Sequence, residues 1–503
     1  MPKKFHLGWF TNFTVDEWND AYAAGGGWPW NGQYYVEMAR ALERACFDYL
    51  MLEDTLMLSD AYGHSTEMYL KKAIMVPKHD PAPLATLIAA STTRLGIVAT
   101  LSTMAYPPFL LARLCATIDN IAEGRFGWNI VTSGEDTAAQ NFGLDKLPPR
   151  ELRYAMAHEY MDVVNQLFGS WDPDAVVMDR ATDTYADFSK VRPINFEGEF
   201  FKCRGPLNTV PCPQGRPTYV QAGGSPTGRA FAAKHADSII AVANGIEGMK
   251  AYRDDVRGKA AAMGRNPDDI KVLFLAAPFF GATDAEARDK YEEFVNSTAF
   301  VEHALAKFGS FTDVDFSKYE LDKPLPGKLT TNGEQGSLDK FQQFGTGKTL
   351  RRLAAEGGTS SSIELVGTPD TVAAKMGEVM EAVGGDGFLI KSPFRNNSRR
   401  YTSEITEALV PALQRRGLVR TQYTQRHLRD TLKDVPGVYV QERYGQELRL
   451  SVRGSGISRG FHLRGLELLQ DGIPFNLADG SGDFYQIDPL ALRSVEVYKG
   501  GNA

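Results

Sequence analysis

The chain is predicted to be an α/β protein built on a (β/α)8 barrel of the TIM type, with two long insertions and a C-terminal β-rich segment. Three observations predict this. Eight short apolar runs recur between residues 5 and 390, and most are trailed by apolar residues at helical spacing. The runs are continuously apolar rather than alternating, which suits parallel strands buried on both faces. Eight strand–helix repeats is the count of the barrel.

In chain order, Phe5–Phe10 reads as the first strand and Tyr34–Cys46 as its helix. Tyr49–Leu52 is the second strand, followed by the helix Ala82–Ala90. Leu95–Thr100 is the third, and Pro108–Ile121 a helix whose early proline suits a first turn. Phe126–Val131 is the fourth, with the long helix Glu151–Phe168 behind it. Pro217–Gln221 precedes the helix Thr227–His235, and Ser238–Val242 is the sixth strand. Lys271–Ala276 is the seventh, with a helix from Asp284; Gly387–Ile390 is the eighth, followed by Ser403–Gln414. Trp171–Gly215 and Phe300–Ser362 are too long to be simple connections. The second is rich in Gly, Thr and Ser, with few apolar anchors. Both are expected to cover a substrate, as long inserts in compact domains often do.

Composition narrows the function. With 55 basic and 62 acidic residues the net charge is −7, without the basic excess of a general nucleic-acid binder. The four cysteines, Cys46, Cys115, Cys203 and Cys212, form no C-x-x-C pair, so no metal or redox site is expected. Reduced thiols, no apolar run of spanning length, and no apolar stretch after Met1–Phe5 point to a cytoplasmic protein without a membrane anchor.

Chemistry is expected at the C-terminal ends of the strands. Glu53-Asp54-Thr55, Thr100–Thr103, Asn129–Ser133 and Gln221–Arg229 gather there. They offer hydrogen bonds to an extended polar ligand, with no catalytic triad order. The stretch Gly223-Gly224-Ser225 leads straight into a helix, whose free N–H groups and dipole suit a phosphate, with Arg229 able to add charge. A helix cap without a ligand has the same composition. Asn12, His64 and His303 are candidate bases, none of them singled out. Trp9, Phe10, Phe13, Trp28 and Trp30 suggest an aromatic mouth, or plain packing. Gly345-Thr-Gly-Lys-Thr349 mimics the end of a phosphate-binding loop, but Gln342 stands where that motif needs glycine.

Longer motifs are more specific. Leu52-Glu-Asp-Thr-Leu56, Gly124-Arg-Phe-Gly-Trp-Asn-Ile-Val-Thr-Ser133, Gln221-Ala-Gly-Gly-Ser225, Arg229-Ala-Phe-Ala-Ala233, Val366-Gly-Thr-Pro369 and Leu409-Val-Pro-Ala-Leu-Gln-Arg-Arg-Gly-Leu418 occur in this order. Together they resemble the nitrilotriacetate monooxygenase family of bacterial-luciferase-like flavin monooxygenases. The resemblance implies a barrel that binds reduced FMN supplied by a separate NAD(P)H-dependent flavin reductase. It implies oxygenation of a small organic substrate by dioxygen, with C–N or C–S cleavage in many members. The flavin-contacting positions fall on Asp54, Thr100, Tyr154 and Ser225, and Asn129 and Ser133 belong to the motif lining the same site. Many relatives carry His four residues before that Tyr; here it is Arg150, which can still pair with phosphate as a charge. A dimer or tetramer is expected. A deazaflavin-dependent oxidoreductase of the same superfamily is the alternative.

From about Thr431 the pattern changes. Val435–Val440, Leu448–Gly456, Leu468–Pro474 and Asp488–Gly501 are β-like and resemble, in order, part of the plug domain of TonB-dependent receptors. Residues 1–430 are therefore expected to form the enzyme and 431–503 a partial plug. No strands of a membrane barrel follow, so a fused passenger is the favoured reading. A receptor-derived protein acting through this segment is the other.

Overall fold

A computed structural model describes residues 4–19, 28–331, 338–339, 341–342, 347–394 and 397–433, with four short strands between Val438 and Pro474. The chain divides into one unit, Phe5–Lys433, and a second comprising Met1–Lys4 and Asp434–Ala503.

In the first unit, β1 (His6–Asn12), β2 (Tyr49–Glu53), β3 (Gly96–Ser102), β4 (Phe126–Val131), β5 (Thr218–Gln221), β6 (Ser238–Ala241), β7 (Lys271–Ala276) and β8 (Gly387–Ile390) close into a barrel. Each strand is parallel to both neighbours, and β8 closes on β1 with His6 opposite Gly387. The apolar runs divide by parity, because successive side chains point to opposite faces. Tyr49 and Met51 of β2 join Val98, Val220, Ile240, Leu273 and Leu389 inside the barrel. Leu50 and Leu52 pack outward beneath the helices. Gly8 keeps the interior open: a Cβ there would lie 2.5 Å from Leu389 and 3.1 Å from Tyr49.

The barrel helices are α1 (Gln33–Arg44), α2 (Pro81–Ser91), α3 (Pro108–Ile121), α4 (Arg150–Phe168), α5 (Pro226–His235), α6 (Gly245–Ala262) and α7 (Pro369–Val383). After β8 a helical run extends through Arg399–Ser403, a π-helical Glu404–Leu409 and Val410–Arg415. The sequence reading did not name α6 and α7. α6 has Asn244 at its N-cap, but that side chain makes no cap bond, and Gly245 and Gly248 weaken the helical signal of its first turn. α7 carries a start signal of its own: Thr368 caps the N–H of Thr371, and Pro369 takes the first position.

Three aspartates fix the N-terminal ends of the strands. Asp48, Asp237 and Asp386 each stand immediately before a strand, and each accepts the backbone N–H of a neighbouring one, Leu7, Tyr219 and Val272 respectively. Each also meets an arginine: Arg420, Arg216 or Arg253. The same mouth is closed by the short helix Leu428–Lys433, whose Leu428 and Leu432 join the interior cluster.

The two insertions differ. Trp171–Gly215 forms two small antiparallel pairs, Val176–Asp179 with Thr184–Ala186 and Phe196–Glu197 with Lys202–Cys203. It packs against α4, where the Glu159 carboxylate accepts the N–H groups of Glu199, Phe200 and Phe201. The expectation that it covers substrate is corrected. It joins the end of a helix to the start of a strand, so it leaves and re-enters the barrel away from the strands' C-terminal ends. The segment before β8 is not poor in apolar anchors either. Tyr291, Val295, Phe300, Phe316, Phe341, Leu350 and Leu353 build a second core among the helices Asp284–Asn296, Thr298–Thr312 and Leu350–Gly357.

In the second unit Val438–Glu442 pairs antiparallel with Leu448–Val452, and Leu469–Gln470 with Ile473–Pro474. The expected β-like stretch Asp488–Gly501 lies outside the described residues. Among the described residues no helix is long and apolar enough to cross a membrane.

Candidate active site

A cavity of about 720 Å³ opens at the C-terminal ends of the strands. Asp54, Thr100, Asn129, Ser133, Arg150, Tyr154 and Ser225 all line it. Asn12 lines it too, from the end of β1, with its amide donating to Glu53 at 3.2 Å. His64 and His303 are not among the lining residues; His64 is exposed beside Lys318 and Asp315.

One end of the cavity is built for an anion. Ser225 caps α5, its Oγ accepting the Gly228 N–H at 3.1 Å, which leaves the hydroxyl proton to donate. The backbone is pressed close here. A Cβ on Gly223 would lie 2.6 Å from the Gly228 carbonyl oxygen, and one on Gly228 2.8 Å from the Tyr154 hydroxyl. Arg150 and Arg153 come from the first turn of α4. Arg153 is buried, and its Nη1 donates to the Pro148 carbonyl at 2.9 Å. Burial, followed by the charge of Arg150, lowers its pKa, so the two guanidiniums lie close enough to feel each other. Arg229 does not contribute: it turns away to Asp255 at 3.1 Å. Arg153, which directly precedes Tyr154, supplies the buried cation in its place.

The middle of the cavity is polar and incompletely paired. Asn129 donates through Nδ2 to Thr100 Oγ1 at 2.9 Å, and its Oδ1 is buried without a partner. Gln221 Oε1 is likewise buried and unpartnered. Ser133 holds a left-handed backbone, φ 56°, and its hydroxyl meets Ser102 Oγ at 2.7 Å. Such backbone is costly for a side-chain-bearing residue and tends to mark functional positions. Asp54 is mostly buried. Desolvation, reinforced by Glu53 and Asp80 and opposed by Lys78, pushes its pKa up to about 8.

The far wall comes from the insertion before β8. Tyr291, Phe308, Phe311 and Phe341 line it, and Thr359–Ser362 close it. These aromatics replace the expected mouth. Of Trp9, Phe10, Phe13, Trp28 and Trp30, only Phe10 reaches the cavity. Trp9 is in the core against Phe47 and Tyr401, Trp30 stacks on His79, and Trp28 is exposed. Lys348, from the imitation phosphate loop, pairs with Glu356 at 2.5 Å, and Thr349 caps a helix; residues 345 and 346 lie outside the described residues.

Residues 5–387 match the family described as luciferase-like monooxygenase, and residues 414–503 match the TonB-dependent receptor plug domain. The chain is 34% identical over 427 residues to the dibenzothiophene-sulfone monooxygenase of Rhodococcus erythropolis, covering 83% of this chain and 92% of that protein. It is 34% identical over 416 residues to nitrilotriacetate monooxygenase component A of Aminobacter aminovorans, covering 80% and 89%. A riboflavin lyase solved with modified FMN and riboflavin superposes with a TM-score of 0.77 at 31% identity, over 86% of this chain and 96% of that one. The chain therefore belongs to the luciferase-like monooxygenase family and is an FMN-dependent monooxygenase.

Proposed function

We propose that this chain is the oxygenase component of a two-component system. It takes reduced FMN from a separate NAD(P)H-dependent flavin reductase and oxygenates a small organic substrate, with cleavage of a C–N or C–S bond. The single observation carrying this reading is the pair of buried, unpartnered acceptors, Asn129 Oδ1 and Gln221 Oε1, in one cavity with the α5 N-terminus. An unpaired buried acceptor costs about 1–3 kcal/mol, and a ligand that donates to it recovers that cost. The ring system of a reduced flavin carries N–H donors, and its phosphate suits Ser225, Tyr154, Arg150 and Arg153. Asp54, Thr100 and Ser133 would border the ring.

Bound there, reduced FMN supplies the electrons that activate dioxygen. The chain's own part is to hold the ring against Asn129 and Gln221, neutralise the phosphate, and exclude water with the aromatic wall. The working enzyme in this reading, expected over residues 1–430, runs on to Lys433 and is a cytoplasmic homo-oligomer, with the remainder of the 431–503 segment a passenger.

The test supplies the purified chain with FMN, NADH and a flavin reductase, and screens organosulfur and amine compounds for products carrying ¹⁸O from ¹⁸O₂. Labelled product that requires the reductase is expected. Turnover without oxygen would instead indicate hydride transfer of the deazaflavin kind. Activity confined to the C-terminal segment would indicate a receptor-derived role.

A further inference from the structure

Two lysines in the cavity are not used by the flavin contacts proposed above. Lys391 follows β8 directly, its backbone N–H bonded to the Ala276 carbonyl, and it is 9% exposed. Its Nζ donates to the Thr359 carbonyl at 2.9 Å. Lys307, from the helix Thr298–Thr312, lies close enough to Lys391 for the two amines to affect each other electrostatically. Both line the cavity.

Their surroundings hold too little negative charge for them. Glu53 is the carboxylate that both lysines feel, but it is bound to Lys78 at 2.8 Å and also accepts from Asn12. Lys348 and Arg352, the other cations of the insertion wall, share Glu356. Among the described residues neither Lys307 nor Lys391 forms an ion pair. A protonated ammonium has no lone pair to accept with, so two amines close together cannot both stay charged comfortably. Burial, as the largest cause, lowers both pKa values, and Lys391 falls well below the usual lysine value. An oxyanion between the amines would supply the countercharge that the surrounding residues do not.

We propose that Lys307 and Lys391 together bind an oxyanion group, carboxylate or sulfonate, of the substrate. The inference rests on the monooxygenase reading and names the substrate class of that same site. Phe308 and Phe311 line the cavity too. The substrate is thus an organic acid with an apolar or aromatic body. An oxyanion meeting two ammonium groups gains charge-assisted hydrogen bonds, which a neutral analogue of the same shape cannot make.

The test is calorimetric titration of the whole protein, with and without saturating oxidised FMN, using benzenesulfonate and its neutral counterpart methyl phenyl sulfone. Benzenesulfonate is expected to bind at least about tenfold more tightly than the sulfone. Lys391→Met and Lys307→Met should each lose at least about tenfold of the sulfonate affinity and leave the sulfone unchanged, while Lys391→Arg stays within about threefold of the parent. Thermal melts confirm folding, and should Lys391→Met not fold, Lys307→Met decides. Equal affinity for sulfone and sulfonate, or unchanged sulfonate affinity in the methionine variants, overturns the proposal. FMN affinity is read separately, so failure of flavin binding sinks the cofactor reading while the titrations without FMN still judge the lysines.

Discussion

Asp54 shows how a single residue carries function through its surroundings. Its carboxyl is pushed up to about 8, chiefly by burial, against about 3.9 in an unfolded chain. Between those values the folded state holds a proton that the unfolded state lacks, so this group's effect on stability worsens as pH rises through that window. Asp54→Asn removes the titration. Melting curves should show the variant gaining on the parent from pH 5 to pH 8, and a constant difference would refute the assignment. In the proposed flavin site the same ionisation sets a charge beside the ring, so FMN affinity should fall above about pH 8 in the parent and stay level in Asp54→Asn. The seven cavity residues were legible in the sequence because motifs place them at strand ends and helix starts. Arg229 was misread because one helical turn carries it to Asp255. Lys307 and Lys391 were missed because each alone looks like a solvated lysine, and only the fold of the insertion brings them together.

At the scale of elements, the aspartates before β2, β6 and β8 hold neighbouring strands in register. Burial alone would raise the Asp386 carboxyl. Arg253 and the Val272 N–H outweigh it and hold the pKa below the usual carboxylate value. Its contribution is therefore present above about pH 4 and lost as pH falls through the depressed value. Asp386→Ala strands Arg253 in a largely buried position, and urea unfolding at neutral pH should register a loss of about 3–5 kcal/mol. A loss below about 1 kcal/mol would mean the pair is not structural. These aspartates gave no signal in the sequence, since Asp at a strand entrance also reads as a turn residue. The eight strands were legible because their apolar runs are short and bounded. The insertion before β8 was not, because its second core draws on residues scattered from Phe279 to Ala355 with no single period.

For the whole molecule, the barrel is open to ligand at one end and sealed at the other. Leu428 and Leu432, 2% and 1% exposed, close the N-terminal mouth, although they fall within the stretch that matches the plug domain. The compact unit accordingly runs to Lys433. Truncation after Lys433 is expected to leave the melting temperature and FMN affinity unchanged. Leu432→Ala should cost about 2–5 kcal/mol in a denaturant titration, and a neutral Leu432→Ala would show that the seal is dispensable. The central claim, that this cavity holds reduced FMN and governs its reaction with oxygen, is tested most directly by stopped-flow mixing of reduced FMN with aerated buffer, with and without the protein. The account predicts that excess protein changes the time course from that of free reduced FMN to a slower, multiphasic reoxidation, and that Asn129→Leu with Gln221→Leu restores the free-flavin course. Reoxidation indistinguishable from free reduced FMN at saturating protein would contradict it.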